Sequence, residues 1–120
     1  MFSQDVVRDL NKLVKNDIDV FIHQLAKDFL IMNYDDYNRF ERLNLKSTQK
    51  QLLRGGNLYR YEYRKKSNLR VLFATRITSK TIFLCAFNEN QGKRHSKDAY
   101  NKNIERAIDI LNRIWRDNYE

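Results

Sequence analysis

Hydrophobic residues in the first thirty positions recur at intervals of three and four, the spacing of amphipathic helices. The first stripe consists of Val6, Leu10, Leu13 and Val14. The second consists of Ile18, Phe21, Ile22, Leu25, Phe29 and Leu30. Asn16-Asp17 separates the two stripes as a cap-like break, so the pattern predicts an antiparallel helical hairpin. From Asn33 to Lys50 the pattern weakens and is compatible with a short third helix or an ordered loop.

The spacing changes to two residues after Gly55-Gly56, which is typical of strands. Three consecutive strands are predicted between Arg54 and Phe87, joined by the short turns KKSN and TSK as an antiparallel meander. In the first strand Tyr59, Tyr61 and Tyr63 share one face, where they either pack on helices or stack on nucleic-acid bases. The third strand, TIFLCAF, is apolar on both faces, which predicts a central or covered position.

After the strands, a polar and basic loop is predicted over residues 88–97, followed by a last helix that begins at Asp98. Its apolar stripe consists of Ile104, Ala107, Ile108, Leu111 and Trp115. Residues 1–120 contain no proline, repeat or linker, so one domain is expected. The predicted fold is α+β: a helical hairpin on a three- to four-stranded antiparallel sheet, closed by a C-terminal helix.

Composition limits the classes of protein to consider. The chain has one cysteine, Cys85, and therefore neither an internal disulfide nor a cysteine-cluster metal site. It has no apolar run long enough to span a membrane and no signal-peptide pattern at its N-terminus, so we expect a cytoplasmic protein. Its two histidines are distant from each other, so no metal or other cofactor is expected.

The net charge of +8 is concentrated in the predicted sheet and the loop behind it. Residues 54–106 contain thirteen Lys/Arg and four Asp/Glu, whereas residues 1–53 contain eight of each. A patch of one sign attracts a polyanion or an acidic protein. Among these cations Arg70 is notable because it lies in an apolar strand, where a free charge would be unfavourable. It therefore either pairs with a carboxylate such as Glu62 or faces a surface that binds phosphate through its planar fork.

The predicted loop supplies candidates for acid–base chemistry. Lys93, Arg94 and His95 are adjacent in it, and Glu89 is the nearest candidate for a general base. RNA can be cleaved without a metal, because its 2′-hydroxyl attacks the neighbouring phosphate while the protein supplies a base, an acid and positive charge. A run such as Lys93–His95 is also common on solvated surfaces, and both interpretations stay open.

Several segments, in order, resemble the RelE/ParE superfamily of toxins from toxin–antitoxin modules, in particular its phage-associated branch close to HigB. They are FSQDVVRDLNKL, QLLRGGNLYRYEYR, NLRVLFA, FLCAFNE and NKNIERAIDIL, and together they span most of residues 2–112. The resemblance implies a toxin that cleaves mRNA at the ribosome, or poisons gyrase in the ParE branch. It also implies an acidic antitoxin partner, expected to carry a helix-turn-helix.

The resemblance also assigns residues. Arg70 matches the family's sheet arginine that contacts the scissile phosphate, Arg54 matches the basic residue before the first strand, and Lys50 is its neighbour. The other expected RNA contacts are the strand arginines Arg60, Arg64 and Arg76. Where relatives carry a Lys-Lys pair after the last strand, this chain has Asn88-Glu89, and its cations follow later. The prediction is an mRNA endoribonuclease with catalytic candidates Arg70, Glu89, Lys93, Arg94 and His95; the alternative is a non-enzymatic, gyrase-directed or partner-binding protein.

Overall fold

The computed structural model describes residues 2–30, 40–53, 57–63, 68–75, 81–89 and 93–119. The helices are α1 (Gln4–Leu13), a 3-10 turn (Lys15–Asp17), α2 (Ile18–Leu30), α3 (Ser47–Leu52) and α4 (Lys93–Tyr119). The strands are β1 (Glu41–Arg42), β2 (Asn57–Glu62), β3 (Leu69–Thr75) and β4 (Thr81–Asn88). They form one antiparallel sheet in the order β1-β2-β3-β4. The predicted α+β fold, with helices at both ends around an antiparallel sheet, is confirmed.

The start of α1 and the junction with α2 have local causes. Ser3 caps α1, because its Oγ accepts the Val6 N–H at 2.9 Å and satisfies a donor that the first turn leaves free. The helix ends before Lys15, whose φ of 51° lies in the left-handed region and turns the chain. The predicted break at Asn16-Asp17 is therefore a single 3-10 turn that leads directly into α2.

The sheet is buried on both faces. The face against α1 and α2 carries the three tyrosines of the first predicted strand, which are 2–6% exposed. Phe21 of α2 packs edge-on against Tyr61 and Tyr63. These tyrosines therefore form core, and the alternative of a base-stacking platform is excluded for them. The opposite face packs on α4 through Leu58, Leu72, Leu84, Ile108 and Leu111.

Strand β4 is apolar at nearly every position because both of its faces are covered, and a β-bulge changes which of its residues share a face. Leu72 pairs with Cys85 and the next residue, Phe73, pairs with Phe83, so Leu84 has no direct partner on β3. Leu84 and Cys85 consequently lie on the same face of the sheet, against α4. The predicted covered position of this strand holds, although β4 is at the end of the strand order.

The outer edge of β4 is covered by the N-terminal segment. Ser3 N–H donates to Phe83 O at 2.9 Å, and its hydroxyl donates to Leu84 O at 2.6 Å. Farther along, the Asp9 carboxylate accepts Ala86 N–H at 3.0 Å. An uncovered edge of this kind would present unpaired backbone groups to other chains, so the segment protects the sheet from edge pairing. Phe2 adds one parallel bridge to Phe83 at this edge.

Three sequence predictions need correction. Helix α4 begins at Lys93 rather than Asp98, so residues 93–97 are helical and not part of a loop. Lysine and arginine favour helices and no Gly or Pro follows Lys93 in this segment, so the capping signal of Asp98 is overridden. Between Phe40 and Leu43 the chain forms strand β1, because Glu41 and Arg42 pair with β2; a helix follows only at α3. Ile22 was predicted to belong to the apolar stripe of α2, but its side chain is 39% exposed and lies outside the core.

Candidate functional site

Strand alternation places three charged residues on the α4 face of the sheet, beyond the apolar core. Arg60 and Glu62 follow Leu58 at intervals of two on β2, and Arg70 precedes Leu72 by two on β3. Glu62 and Arg70 are direct partners in the antiparallel ladder. The charged group therefore lies where β2, β3 and the end of β4 meet the beginning of α4.

Arg70 is held by two carboxylates. Its Nε donates to Glu89 Oε2 at 2.7 Å, and Glu62 Oε1 lies 3.7 Å from the same nitrogen. The side chain of Arg70 is 12% exposed and that of Glu89 is 20% exposed, so this pair is largely shielded from water. Of the two sequence-based alternatives for Arg70, the structure shows the pairing with carboxylates, and phosphate binding stays a prediction.

Arg60 extends this group toward the edge of the sheet. Its guanidinium forms ion pairs with Glu41 and with Glu62, the latter at 2.9 Å. Its Nη1 donates to the Tyr100 hydroxyl at 2.9 Å, and its Cζ lies 5.5 Å from the centre of the Tyr100 ring. We call these six residues the polar cluster; they are Glu41, Arg60, Glu62, Arg70, Glu89 and Tyr100.

Tyr100 joins the two halves of the polar cluster. Its hydroxyl accepts from Arg60 and donates to Glu89 Oε2 at 3.2 Å, while its ring packs edge-on against Phe87 at 5.0 Å. Burial raises the pKa of Tyr100; the hydrogen bond and charge of Arg60 oppose this effect without cancelling it. The phenol therefore keeps its proton at neutral pH and can donate it.

The pKa of Arg60 reflects two opposing effects. Burial disfavours its charge, but the hydrogen bond to Tyr100 and the charges of Glu41 and Glu62 outweigh this, so the pKa of Arg60 is raised. Its Nε is nevertheless buried without a hydrogen-bond partner among the described residues. A buried donor left unsatisfied typically costs about 1–3 kcal/mol, which is unusual in a network that serves stability alone.

The polar cluster has the groups that acid–base and anion chemistry need. Two arginines can stabilise a negative charge, a carboxylate can accept a proton, and a protonated phenol can donate one. With two arginines and three glutamates, the cluster carries a formal charge of −1. An incoming anion consequently has to displace or share one of the glutamates.

The remaining candidate residues are distributed as follows. Lys50 is exposed on α3. Lys93, Arg94 and His95 form the first turn of α4, but their side chains lie outside the described part of the chain. Arg54, Arg64 and Arg76 also lie outside the described residues.

Sequence reasoning missed Tyr100 and Glu41. The signal for Tyr100 was its position four residues before Ile104, which continues the buried stripe of α4 by one turn. Glu41 had no such signal, because only the pairing of β1 with β2 sets it opposite Arg60.

Comparisons with known proteins find no matching protein-family model, curated protein or solved structure. Over the described residues, no group of three or more His, Cys, Asp and Glu side chains is arranged to hold a metal ion. In the same part of the chain, no helix combines the length and apolar character needed to cross a membrane.

Proposed function

We propose that the chain is an endoribonuclease toxin of a toxin–antitoxin module that cleaves mRNA, in keeping with its resemblance to the RelE/ParE superfamily. The observation that carries this proposal is the Tyr100 hydroxyl, which bridges Arg60 at 2.9 Å and Glu89 at 3.2 Å beside Arg70. A base, an acid and two guanidinium groups thus lie within one contact network on the face of the sheet.

The proposed reaction needs no group outside the polar cluster. Glu89 accepts the proton of the RNA 2′-hydroxyl, whose oxygen attacks the adjacent phosphorus. Arg60 and Arg70 stabilise the charge that accumulates on the phosphate oxygens. Tyr100 protonates the leaving 5′-oxygen, so the products are a 2′,3′-cyclic phosphate and a 5′-hydroxyl. Glu89, now protonated, lies 3.2 Å from Tyr100 and can return the proton.

The start of α4 adds three sequence-predicted candidates to the proposal. Lys93, Arg94 and His95 precede Tyr100 by five to seven residues, which is about 8–11 Å along a helix axis. The positive charges of Lys93 and Arg94 suit contacts to neighbouring RNA phosphates. All three residues are also the alternatives to Tyr100 as the acid of the reaction. The acidic antitoxin is proposed to cover the same face and so block access to the polar cluster.

Regulated expression followed by mapping of mRNA 5′ ends tests the proposal. Wild-type protein should give discrete new 5′ ends, and Arg70→Ala should abolish them. Arg8→Ala is the matched control, because Arg8 is an exposed arginine on α1, which covers the other face of the sheet, and its removal changes the net charge equally. Intact mRNA with wild-type protein, or equal cleavage by Arg70→Ala, would refute the proposed reaction.

One observation favours a second function. Because each arginine of the polar cluster already has carboxylate partners, the cluster can also serve as a surface that only binds a partner, as in a gyrase-directed toxin. Inhibited supercoiling by gyrase with unchanged RNA would select this alternative.

A further inference from the structure

Glu62 differs from the other glutamates of the polar cluster in touching both arginines. Its Oε1 lies 2.9 Å from Arg60 Nη2 and 3.7 Å from Arg70 Nε. Its side chain is 51% exposed, whereas the two arginines are 19% and 12% exposed. One carboxylate thus joins two largely buried guanidinium groups while remaining accessible to water itself.

Glu62 contacts the two arginines in the way that a bound phosphate group would. Guanidinium groups bind the oxygens of carboxylates and of phosphates alike, so a phosphate oxygen can take the place of Glu62 Oε1 between the two arginines. Glu62 can leave the arginines because its own side chain is half exposed, so water can solvate the released carboxylate. Glu89 is held more firmly, since it is 20% exposed and bonded at 2.7 Å to Arg70.

We propose that Glu62 acts as an internal substitute for a phosphodiester group of single-stranded RNA: in the free protein it occupies the subsite between Arg60 and Arg70 that the proposed function gives to the phosphate. Binding of RNA turns Glu62 out toward solvent and leaves both guanidinium groups on the phosphate. The subsite stays closed to weaker anions because they must displace a carboxylate that is already in place.

Glu89 favours RNA over other anions at this subsite. It remains beside Arg70 as a hydrogen-bond acceptor, and a ribose 2′-hydroxyl next to the phosphate can donate to it. DNA lacks this donor. A glutamate or aspartate side chain from another protein lacks it too, and is repelled by the Glu89 charge. The identity of the ligand as RNA rests on the proposed function, whereas the displacement of Glu62 rests on the contacts alone.

Equilibrium binding of a fluorescein-labelled single-stranded RNA, followed by fluorescence anisotropy at fixed salt, tests the inference. Glu62→Gln should bind about tenfold more tightly than wild type, equivalent to about 1.4 kcal/mol. Glu105→Gln is the matched control, since it removes one exposed carboxylate from α4 at the groove against α3 and should change the affinity by about twofold at most. Glu62→Asp keeps the net charge but shortens the reach, so it should also tighten binding.

The outcomes separate this inference from the proposed endoribonuclease. If Glu62→Gln binds RNA no more tightly than Glu105→Gln, the inference is overturned, whether or not mRNA is cut. If it binds more tightly and the wild-type protein cuts no mRNA, the inference stands and the enzymatic proposal fails. Equal tightening toward RNA, the same sequence as DNA and a hexaglutamate peptide would overturn the assignment of the ligand as RNA.

Discussion

The ion pair between Asp9 of α1 and Arg106 of α4 allows a quantitative test of how β4 is held beside the polar cluster. Arg106 of α4 donates to both oxygens of Asp9, at 2.7 and 2.9 Å, and Asp9 also accepts the Ala86 N–H at 3.0 Å. The side chain of Asp9 is 16% exposed and that of Arg106 is 37% exposed. One carboxylate therefore ties two helices to the strand that leads to Glu89.

The expected losses follow from these contacts. Asp9→Ala removes the hydrogen bond that the buried Ala86 amide donates to the charged Asp9 carboxylate, which contributes about 1.5–3 kcal/mol. It also removes a bidentate ion pair that, because Arg106 is over one third exposed, contributes about 0.5–1 kcal/mol. Arg106→Ala should lose only the second contribution. The melting temperature should fall by roughly 4 °C for each kcal/mol in a domain of this size.

Urea titration monitored by circular dichroism measures these differences. The control is Arg113→Ala, because Arg113 reaches Asp5 at 3.4 Å and is 52% exposed, so its removal should cost less than about 0.5 kcal/mol. The expected order of destabilisation is Asp9→Ala, then Arg106→Ala, then Arg113→Ala. Equal losses for Asp9→Ala and Arg106→Ala would show that the contact to Ala86 contributes nothing and would refute the reasoning.

Three further predictions concern the core. Phe73→Ala should lower the free energy of unfolding, measured in urea, by about 3–5 kcal/mol, because this ring is fully buried. The control Ile22→Ala, at a 39% exposed site, should change it by no more than about 0.5 kcal/mol. A loss below about 1 kcal/mol for Phe73→Ala would contradict the packing. Burial raises the pKa of Cys85 from 9.0 to about 12, so a thiol reagent at pH 8 should label the protein only after denaturation. Between about pH 9 and pH 12 the unfolded thiol has lost its proton while the folded thiol keeps it, so the free energy of unfolding falls as the pH rises. This decrease should be larger for wild type than for Cys85→Ala. Equal decreases would argue against the burial of Cys85.

Sequence reasoning reached part of the candidate site. Arg70 and Glu89 were recognised because a charge in an apolar strand and a carboxylate after a strand are visible in the sequence, and the structure brings them to 2.7 Å. Tyr100 was missed because the predicted buried stripe of the last helix began one turn later, at Ile104. The start of that helix was also placed five residues too late, because the capping signal of Asp98 was weighted above the helix-forming residues before it.

The periodicity of apolar residues by itself predicted that helices α1, α2 and α4 and strands β2 to β4 exist, and it identified most of the residues that face the core. These properties depend on local geometry, since side chains recur every 3.6 residues in a helix and every two in a strand. The short strand β1, the bulge at Leu84 and the coverage of the β4 edge depend on partners distant in sequence. Only the tertiary structure could decide them. The same holds for the polar cluster, where the register of β2 against β3 sets Glu62 opposite Arg70 and the packing of α4 brings Tyr100 to Arg60.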